Sequence, residues 1–331
     1  MGGLYDRQSR TRKFARDFEL TDPCAEISPM KSLRDAIRPT TIIRSSKLDE
    51  AYGMEIILAS ETFQHTGSFK FRAAYNVVSS IPNEHIITAS SGNFGQALAY
   101  ACRLVGKKCT VVMPDNAANV KVDAVALNGG RVELVDTTKV SREERVRQLC
   151  TENPDAYKAS PYDDFLVIEG NATLGEELSS NIFDHVLVPI GGGGLVSGIL
   201  TGLCNAGHHG EVIGAEPLLA NDAARSLREG RLIRNDQEPQ TIADGARTIS
   251  LGINNWEVVR KGLKRICEVS DDSIRRATKE LFDLANLKCE PTGALGLGAL
   301  RENKEEFQGK TVCVVISGGN VDPGVYGELI R

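Results

Sequence analysis

Apolar residues in this chain fall in two patterns: short continuous runs, and longer stretches in which they recur every third or fourth position. The first predicts buried strands and the second predicts helices that cover them. The runs are Ile42-Ile43-Arg44, Glu55 to Ala59, His85 to Ser90, Lys108 to Met113, Val132 to Val135, His185 to Ile190, Glu211 to Glu216 and Thr311 to Ile316. Helical spacing covers 71–78, 92–104, 118–127, 141–150, 174–183, 195–206 and a stretch from Ser270 to Leu287. Ser141 with Glu144, and Ser270 with Asp271 and Asp272, supply N-terminal capping signals for two of these helices. Residues 1 to 30 are polar and charged, and read as a loose arm or a short helix. Strands alternating with helices predict an α/β protein built on doubly wound sheets.

Composition narrows the function. With 331 residues, 41% hydrophobic and 25% charged, the chain has the make-up of a large globular protein. A net charge of -5 gives no basic footprint, which argues against nucleic acid as a partner. No apolar run is long enough to span a bilayer, and the N-terminus lacks the pattern of a secretory leader, so the cytoplasm is the expected compartment. The eight cysteines are scattered singly, several beside apolar runs, and read as buried free thiols. Asn171-Ala172-Thr173 matches a glycosylation sequon but carries no weight without a leader. His208-His209, flanked by glycines, reads as a surface loop, and His65 as a structural residue.

The candidate chemistry begins at Thr66-Gly67-Ser68-Phe69-Lys70-Phe71-Arg72-Ala73, where a lysine follows a Gly-Ser turn and opens a helix. An ammonium group is no nucleophile, so a lysine that works covalently has to be held and partly desolvated. Gly191-Gly192-Gly193-Gly194-Leu195 follows a strand and opens another helix, which presents backbone N–H groups to a phosphate. Lysine plus phosphate cradle, without a Walker pattern, points to pyridoxal phosphate. Ser90-Ser91-Gly92-Asn93-Phe94-Gly95-Gln96, Glu216 and Ser317-Gly318-Gly319 also fall at strand ends, where open α/β sheets bind ligands.

Together these stretches resemble the fold-type II pyridoxal-phosphate enzymes of the serine/threonine dehydratase and serine racemase family, over nearly the whole chain after the N-terminal arm. The resemblance implies a fold like that of the tryptophan synthase β chain, with two doubly wound, open twisted sheets and the active site in the cleft between them. It implies a large domain of residues 1–85 and 160–331, a small inserted domain of residues 86–159, and a homodimer. Lys70 would carry the cofactor and act as base at the substrate Cα. Phe69 would pack beside the cofactor, Asn93 would bond its phenolic oxygen, Gly191, Gly192, Gly193, Gly194 and Leu195 would hold its phosphate, and Ser317 would face its ring nitrogen. Ser90, Ser91, Asn93, Phe94 and Arg142 would line the substrate site. Glu216, Ala220 and Asp222 resemble the family's divalent-cation site, suited to Mg²⁺ or Ca²⁺.

The activity implied is elimination of water from a β-hydroxy amino acid (serine, threonine or 3-hydroxyaspartate) to give a 2-oxo acid and ammonia. Ser91 matches the residue that serves the second face of Cα in serine racemase, which keeps racemisation as an alternative; its hydroxyl equally suits the substrate carboxylate. Two stretches depart from the family pattern. Phe94 replaces a histidine, and Ile168-Glu169-Gly170-Asn171-Ala172-Thr173 replaces Ala-Gly-Gln-Gly-Thr. The missing histidine leaves a β-replacement synthase open. A cofactor-free binding protein that keeps the fold is the non-enzymatic alternative, against which the intact Lys70 and glycine run argue.

Overall fold

The computed structural model describes residues 32–90 and 92–331. The expected N-terminal arm, Cys24 and the candidate residue Ser91 lie outside the described residues. The strands are β1 (Thr41–Arg44), β2 (Glu55–Ser60), β3 (His85–Ala89), β4 (Lys108–Pro114), β5 (Arg131–Val135), β6 (Tyr157–Lys158), β7 (His185–Pro189), β8 (Glu211–Pro217), β9 (Ile266–Val269) and β10 (Thr311–Ile316). They form a six-stranded sheet, ordered β1-β2-β10-β7-β8-β9, and a four-stranded sheet, ordered β5-β4-β3-β6. Neighbouring strands are parallel except β1 and β2, so the larger sheet is mixed with one antiparallel edge.

Both sheets are covered on both faces, which is why their strands read as continuous apolar runs. Side chains alternate sides along a strand. Ile56, Leu58, Leu187, Val312 and Val314 enter one core, with the helices Asp271–Ala285 and Leu295–Glu302. Ile57, Ala59, Val186, Val188, Cys313 and Val315 enter the opposite core, with the helices Phe165–Leu178 and Gly194–Asn205. In the smaller sheet, Ile86, Val111 and Met113 face the helices Lys70–Ser80 and Asn93–Val105. Ile87 and Val112 face Val146 and Leu149 of the helix Arg142–Glu152. Cys102, Cys109, Cys267, Cys289 and Cys313 are buried free thiols, whereas Cys204 is exposed. No helix among the described residues is long and apolar enough to cross a membrane.

One helix departs from its expected bounds. The segment expected over 174–183 runs instead from Phe165 to Leu178, capped by Asp164. Its N-terminal half carries Gly170 and Asn171, which look like breakers. A Cβ on Gly170 would stand 2.7 Å from the Arg72 carbonyl, so that glycine allows two helices to touch. Asn171 is fully buried, with its amide bonded to Gly194 O at 3.0 Å.

The contact that fixes the lysine helix is made by Arg72, which is 0% exposed. Its guanidinium grips Glu61 with two bonds, of 2.8 Å and 2.9 Å, and reaches both carboxylate oxygens of Glu177, at 2.8 Å and 3.0 Å. Thr173 Oγ1, Thr40 Oγ1 and the Arg38 carbonyl complete the shell, so its five N–H groups are shared among more acceptors than there are hydrogens. Burial alone would lower its pKa, but Glu61 and Glu177 outweigh that and raise it. Removing one partner of a buried pair strands the other, at a cost of about 3–5 kcal/mol. Arg72→Ala is therefore expected to lower unfolding stability by about that amount in urea titration, and a loss under ~1 kcal/mol would show the fork to be dispensable.

Candidate active site

Two topological switch points define the site. In the smaller sheet the chain leaves β3 toward β4 and β5, then returns to place β6 on the other side. In the larger sheet the last strand, β10, is inserted between β2 and β7, while β8 and β9 extend the sheet from the far side of β7. Ligands collect beyond the carboxyl ends of strands at such points. Ser90 and Asn93 follow β3, Pro161 and Tyr162 follow β6, the glycines follow β7, and Ser317 follows β10.

The lysine turn is strained and tied down. Thr66 has φ 59 and Gly67 φ 75. A β-branched residue in the left-handed region costs roughly 1–3 kcal/mol and persists only where its surroundings hold it. Here Asn320 donates to the Thr66 carbonyl at 2.7 Å, Gly319 N to the Gly67 carbonyl at 3.0 Å, and Phe69 N to the Ser317 carbonyl at 3.0 Å. Gly67 is required: a Cβ there would meet Asn320 Oδ1 at 2.5 Å. The turn delivers the half-buried Lys70, whose Nζ donates to Pro161 O at 2.7 Å. The same atom lies 5.0 Å from the centre of the Phe69 ring and 5.8 Å from that of Phe94. Desolvation in this apolar cage lowers its pKa to about 8, against the opposing pull of the Glu290 charge.

The glycine loop is built from its back. The Gly192 carbonyl accepts from Asn255 Nδ2 at 2.8 Å and from Gly252 N at 3.0 Å, and Gly194 O accepts from Asn171. Gly193 has φ 92. Among the described residues, the N–H groups of Gly191, Gly192 and Gly193 are donated to no group of the chain. Gly192 and Gly193 are buried and Gly191 half-buried, and three N–H groups without an acceptor in the chain, leading into a twelve-residue helix, fit an anion such as a phosphate. The ring of Tyr162 lies 2.3 Å from where a Cβ on Gly192 would be, so only glycine fits beneath it. Pro161 and Tyr162 thus connect the lysine to the loop. Leu195 is buried in the first turn of the following helix.

The remaining candidates are placed as follows. Ser90 Oγ accepts from Gly95 N at 3.1 Å and Gly92 N at 3.4 Å, so its hydroxyl organises the start of the next helix. Asn93 begins that helix with its amide held between Glu290 and Asn320, each at 2.8 Å. Phe94 and Ser317 are buried. Arg142 is half-buried at the start of its helix, and the charge of its neighbour Glu143 reaches Tyr162. Glu216 and Asp222 are both buried behind the loop. Leu251 links them to it: its N–H donates to Asp222 Oδ2 at 3.0 Å, and its side chain would meet a Cβ on Gly193. The Glu216 oxygens accept from Ala223 N and Ala224 N, each at 2.9 Å. Burial and the Asp222 charge push Glu216 well up, and burial raises Asp222 to about 7.

Five contributors do not stand out in the sequence: Pro161, Tyr162, Asn171, Asn255 and Glu290. Tyr162, Asn171 and Asn255 act by bonding or covering backbone and Pro161 by its own carbonyl, neither of which has a residue pattern. Glu290 alone leaves a trace, as a lone acid between the buried Cys289 and Pro291.

The family model described as pyridoxal-phosphate dependent enzyme matches residues 33–318. An L-threo-3-hydroxyaspartate ammonia-lyase of Saccharomyces cerevisiae is 35% identical over 304 residues, covering 90% of this chain and 93% of the relative. Serine racemase of Homo sapiens is 35% identical over 305 residues, covering 88% of each. The crystal structure of a threonine deaminase from T.th. superposes with a TM-score of 0.83 at 36% identity, covering 88% of this chain and 95% of that one.

The cage around Lys70 has a direct test. In the cofactor-free protein, reductive ¹³C-methylation followed by NMR titration should show one lysine with a midpoint near 8, absent in Lys70→Arg, where ordinary lysines titrate near ~10.4. A Lys70 midpoint at the ordinary value would remove the desolvated cage.

Proposed function

Because this chain belongs to the pyridoxal-phosphate-dependent enzyme family, we propose that it is a lyase that removes water from a β-hydroxy amino acid to give a 2-oxo acid and ammonia. The observation that carries this is the caged Lys70 amine, joined through Pro161 and Tyr162 to a loop of buried N–H groups without acceptors. When bound, pyridoxal phosphate supplies an electron sink for the charge left at Cα. Lys70 holds the cofactor, then takes the Cα proton as general base. Gly191 to Gly194 and Leu195 would hold the phosphate, Phe69 would pack beside the ring, and Asn93 would donate to the phenolic oxygen. Ser317, a neutral hydroxyl, does not hold a proton on the ring nitrogen as a carboxylate would. That favours prompt departure of the β-hydroxyl over transamination.

Ser90, Asn93 and Phe94 shape the substrate end, and Arg142 recognises substrate from the helix facing Tyr162. Residues 86–159, which carry most of the four-stranded sheet, are the small domain closing over it. The substrate assignment favours threo-3-hydroxyaspartate, the compound named for the 35% identical ammonia-lyase, ahead of serine and threonine. A second reading, racemisation, is supported by the equally identical human serine racemase, with Ser91 serving the second face of Cα. A homodimer rests on the family resemblance, and a cytoplasmic location on the reading of the sequence.

A divalent cation, Mg²⁺ or Ca²⁺, completes the proposal. Glu216 and Asp222 are buried carboxylates that repel each other, and a hard cation would offset that repulsion. No group of three or more acidic, His or Cys side chains among the described residues is arranged to hold a metal ion, so the Ala220 carbonyl and water would fill the coordination.

Two experiments test the proposal. Protein loaded with pyridoxal phosphate is mixed in turn with L-serine, L-threonine and L-threo-3-hydroxyaspartate while oxo acid and D-isomer are followed. Oxo acid should form fastest from the last, and Lys70→Ala should lose essentially all turnover. A D-isomer without oxo acid would establish the racemase instead, and neither product would sink both readings. For the cation, Mg²⁺ or Ca²⁺ at a hundredfold excess over Kd adds about 2.7 kcal/mol of stability. The Tm should rise by several degrees in the native protein and not in Glu216→Gln; an unchanged native Tm would reject the site.

A further inference from the structure

One buried acid in the site has no part in the reading above. Glu290 is 5% exposed, and its Oε1 accepts from Asn93 Nδ2 at 2.8 Å. Its backbone N–H donates to Gly318 O at 3.1 Å, and a Cβ on Gly318 would stand 2.7 Å from Oε1. The carboxyl therefore packs against the exit of β10, next to Ser317. The charged groups around it are Lys70, Asp244 and Lys121, the last two paired with each other at 3.1 Å.

The hydrogens of the neighbouring amides can be counted. Asn320 Nδ2 has two, one given to Thr66 O at 2.7 Å and one to Asn93 Oδ1 at 2.8 Å. A backbone carbonyl can only accept, so the Asn320 nitrogen is fixed, and with it the Asn93 oxygen. The Asn93 nitrogen must then face Glu290, which uses one of its two hydrogens. One Asn93 N–H is left, and its direction is set by Glu290 on one side and Asn320 on the other. Without Glu290 the amide keeps only one anchor and can rotate.

We propose that Glu290 is a positioning residue that aims the remaining Asn93 N–H at the cofactor's phenolic oxygen and places a carboxyl behind that amide. This rests on the cofactor site proposed above. The charge can change near neutrality: burial first, and Asp244 second, push the carboxyl up to about 8, while the Asn93 bond, Lys121 and Lys70 oppose the rise. Below that pH the carboxyl is neutral. Above it a negative charge lies behind Asn93 and favours a proton on the Lys70 nitrogen.

Two substitutions separate aim from charge. Glu290→Gln keeps an oxygen that accepts from Asn93, so pyridoxal phosphate affinity should stay within about threefold of the native protein. It should lose the step near pH 8 in the ratio of long- to short-wavelength absorption of the bound cofactor. Glu290→Ala frees the Asn93 amide and should weaken cofactor affinity about tenfold. Asn93→Ala should do the same, and the double variant should be no worse than either single one, because the two residues act as a unit. Thermal melting checks that each variant folds, and near-isosteric Glu290→Gln keeps the test available if Glu290→Ala does not. Native affinity in Glu290→Ala, additive losses in the double variant, or a pH profile unchanged in Glu290→Gln would each overturn the proposal. Borohydride trapping of the cofactor, with peptide mapping of the native protein, tests the underlying site separately. A label away from Lys70 would defeat the site reading itself, whereas a label on Lys70 with native-like Glu290 variants would defeat only this inference.

Discussion

The architecture around the site depends on neutralising one buried guanidinium. Arg72 comes two residues after Lys70, so on a helix of 3.6 residues per turn the two side chains point about 200° apart. When Arg72 turns into the interior, Lys70 is turned out of it. A buried arginine is tolerable only when all its donors are matched, and the matching groups come from far along the chain. Glu61 follows β2, Thr40 precedes β1, and Thr173 and Glu177 lie on the helix Phe165–Leu178. The chain has to bring these segments into one arrangement to bury that charge, and this arrangement fixes the rotation of the lysine helix.

Around that fixed helix the site is made mostly of backbone. Strain at Thr66 and Gly67 is held by carbonyl and amide groups of the β10 exit, and the glycine loop is held by the Asn171 and Asn255 side chains behind it. Backbone donors held this way need no reorganisation when an anion arrives, which is the advantage of preorganised dipoles over mobile side chains. The low dielectric of the cage acts oppositely on its two ionisable groups: it lowers the cation Lys70 and raises the acid Glu290, and both reach about 8. Both groups are thus held away from their ordinary values, in opposite directions, by the same burial.

The strands and most helices were legible because burial on both faces leaves unbroken apolar runs, and the strand-end motifs were legible because strand ends are where ligands bind. The helix Phe165–Leu178 was misplaced for a physical reason. Gly170 and Asn171 have poor helix propensity, and their use here is tertiary: one lets helices touch, and the other bonds the glycine loop. Arg72 was visible as part of the lysine motif, but nothing local marks it as buried, since its partners lie up to 105 residues away. The same holds for Tyr162 and Asn255, which act on loops distant in sequence. Short strands such as β6, two residues long, carry too little pattern to be read at all.

Phe94 shows how the core and the chemistry meet. Its ring belongs to the core shared by the smaller sheet and the lysine helix, yet it also lies 5.8 Å from Lys70 Nζ. An aromatic there seals the cage and takes a titratable donor out of the loop, while the Ser90 hydroxyl is committed to the N–H groups of Gly92 and Gly95. Among the described residues the loop after β3 can therefore bind and orient, but it supplies little acid or base of its own. The Asn93 amide in that loop is held between Glu290 and Asn320 in an orientation that the surrounding hydrogen bonds leave no freedom to reverse. A desolvated lysine beside an oriented amide suits a reaction in which one proton is taken from Cα and the β-substituent leaves.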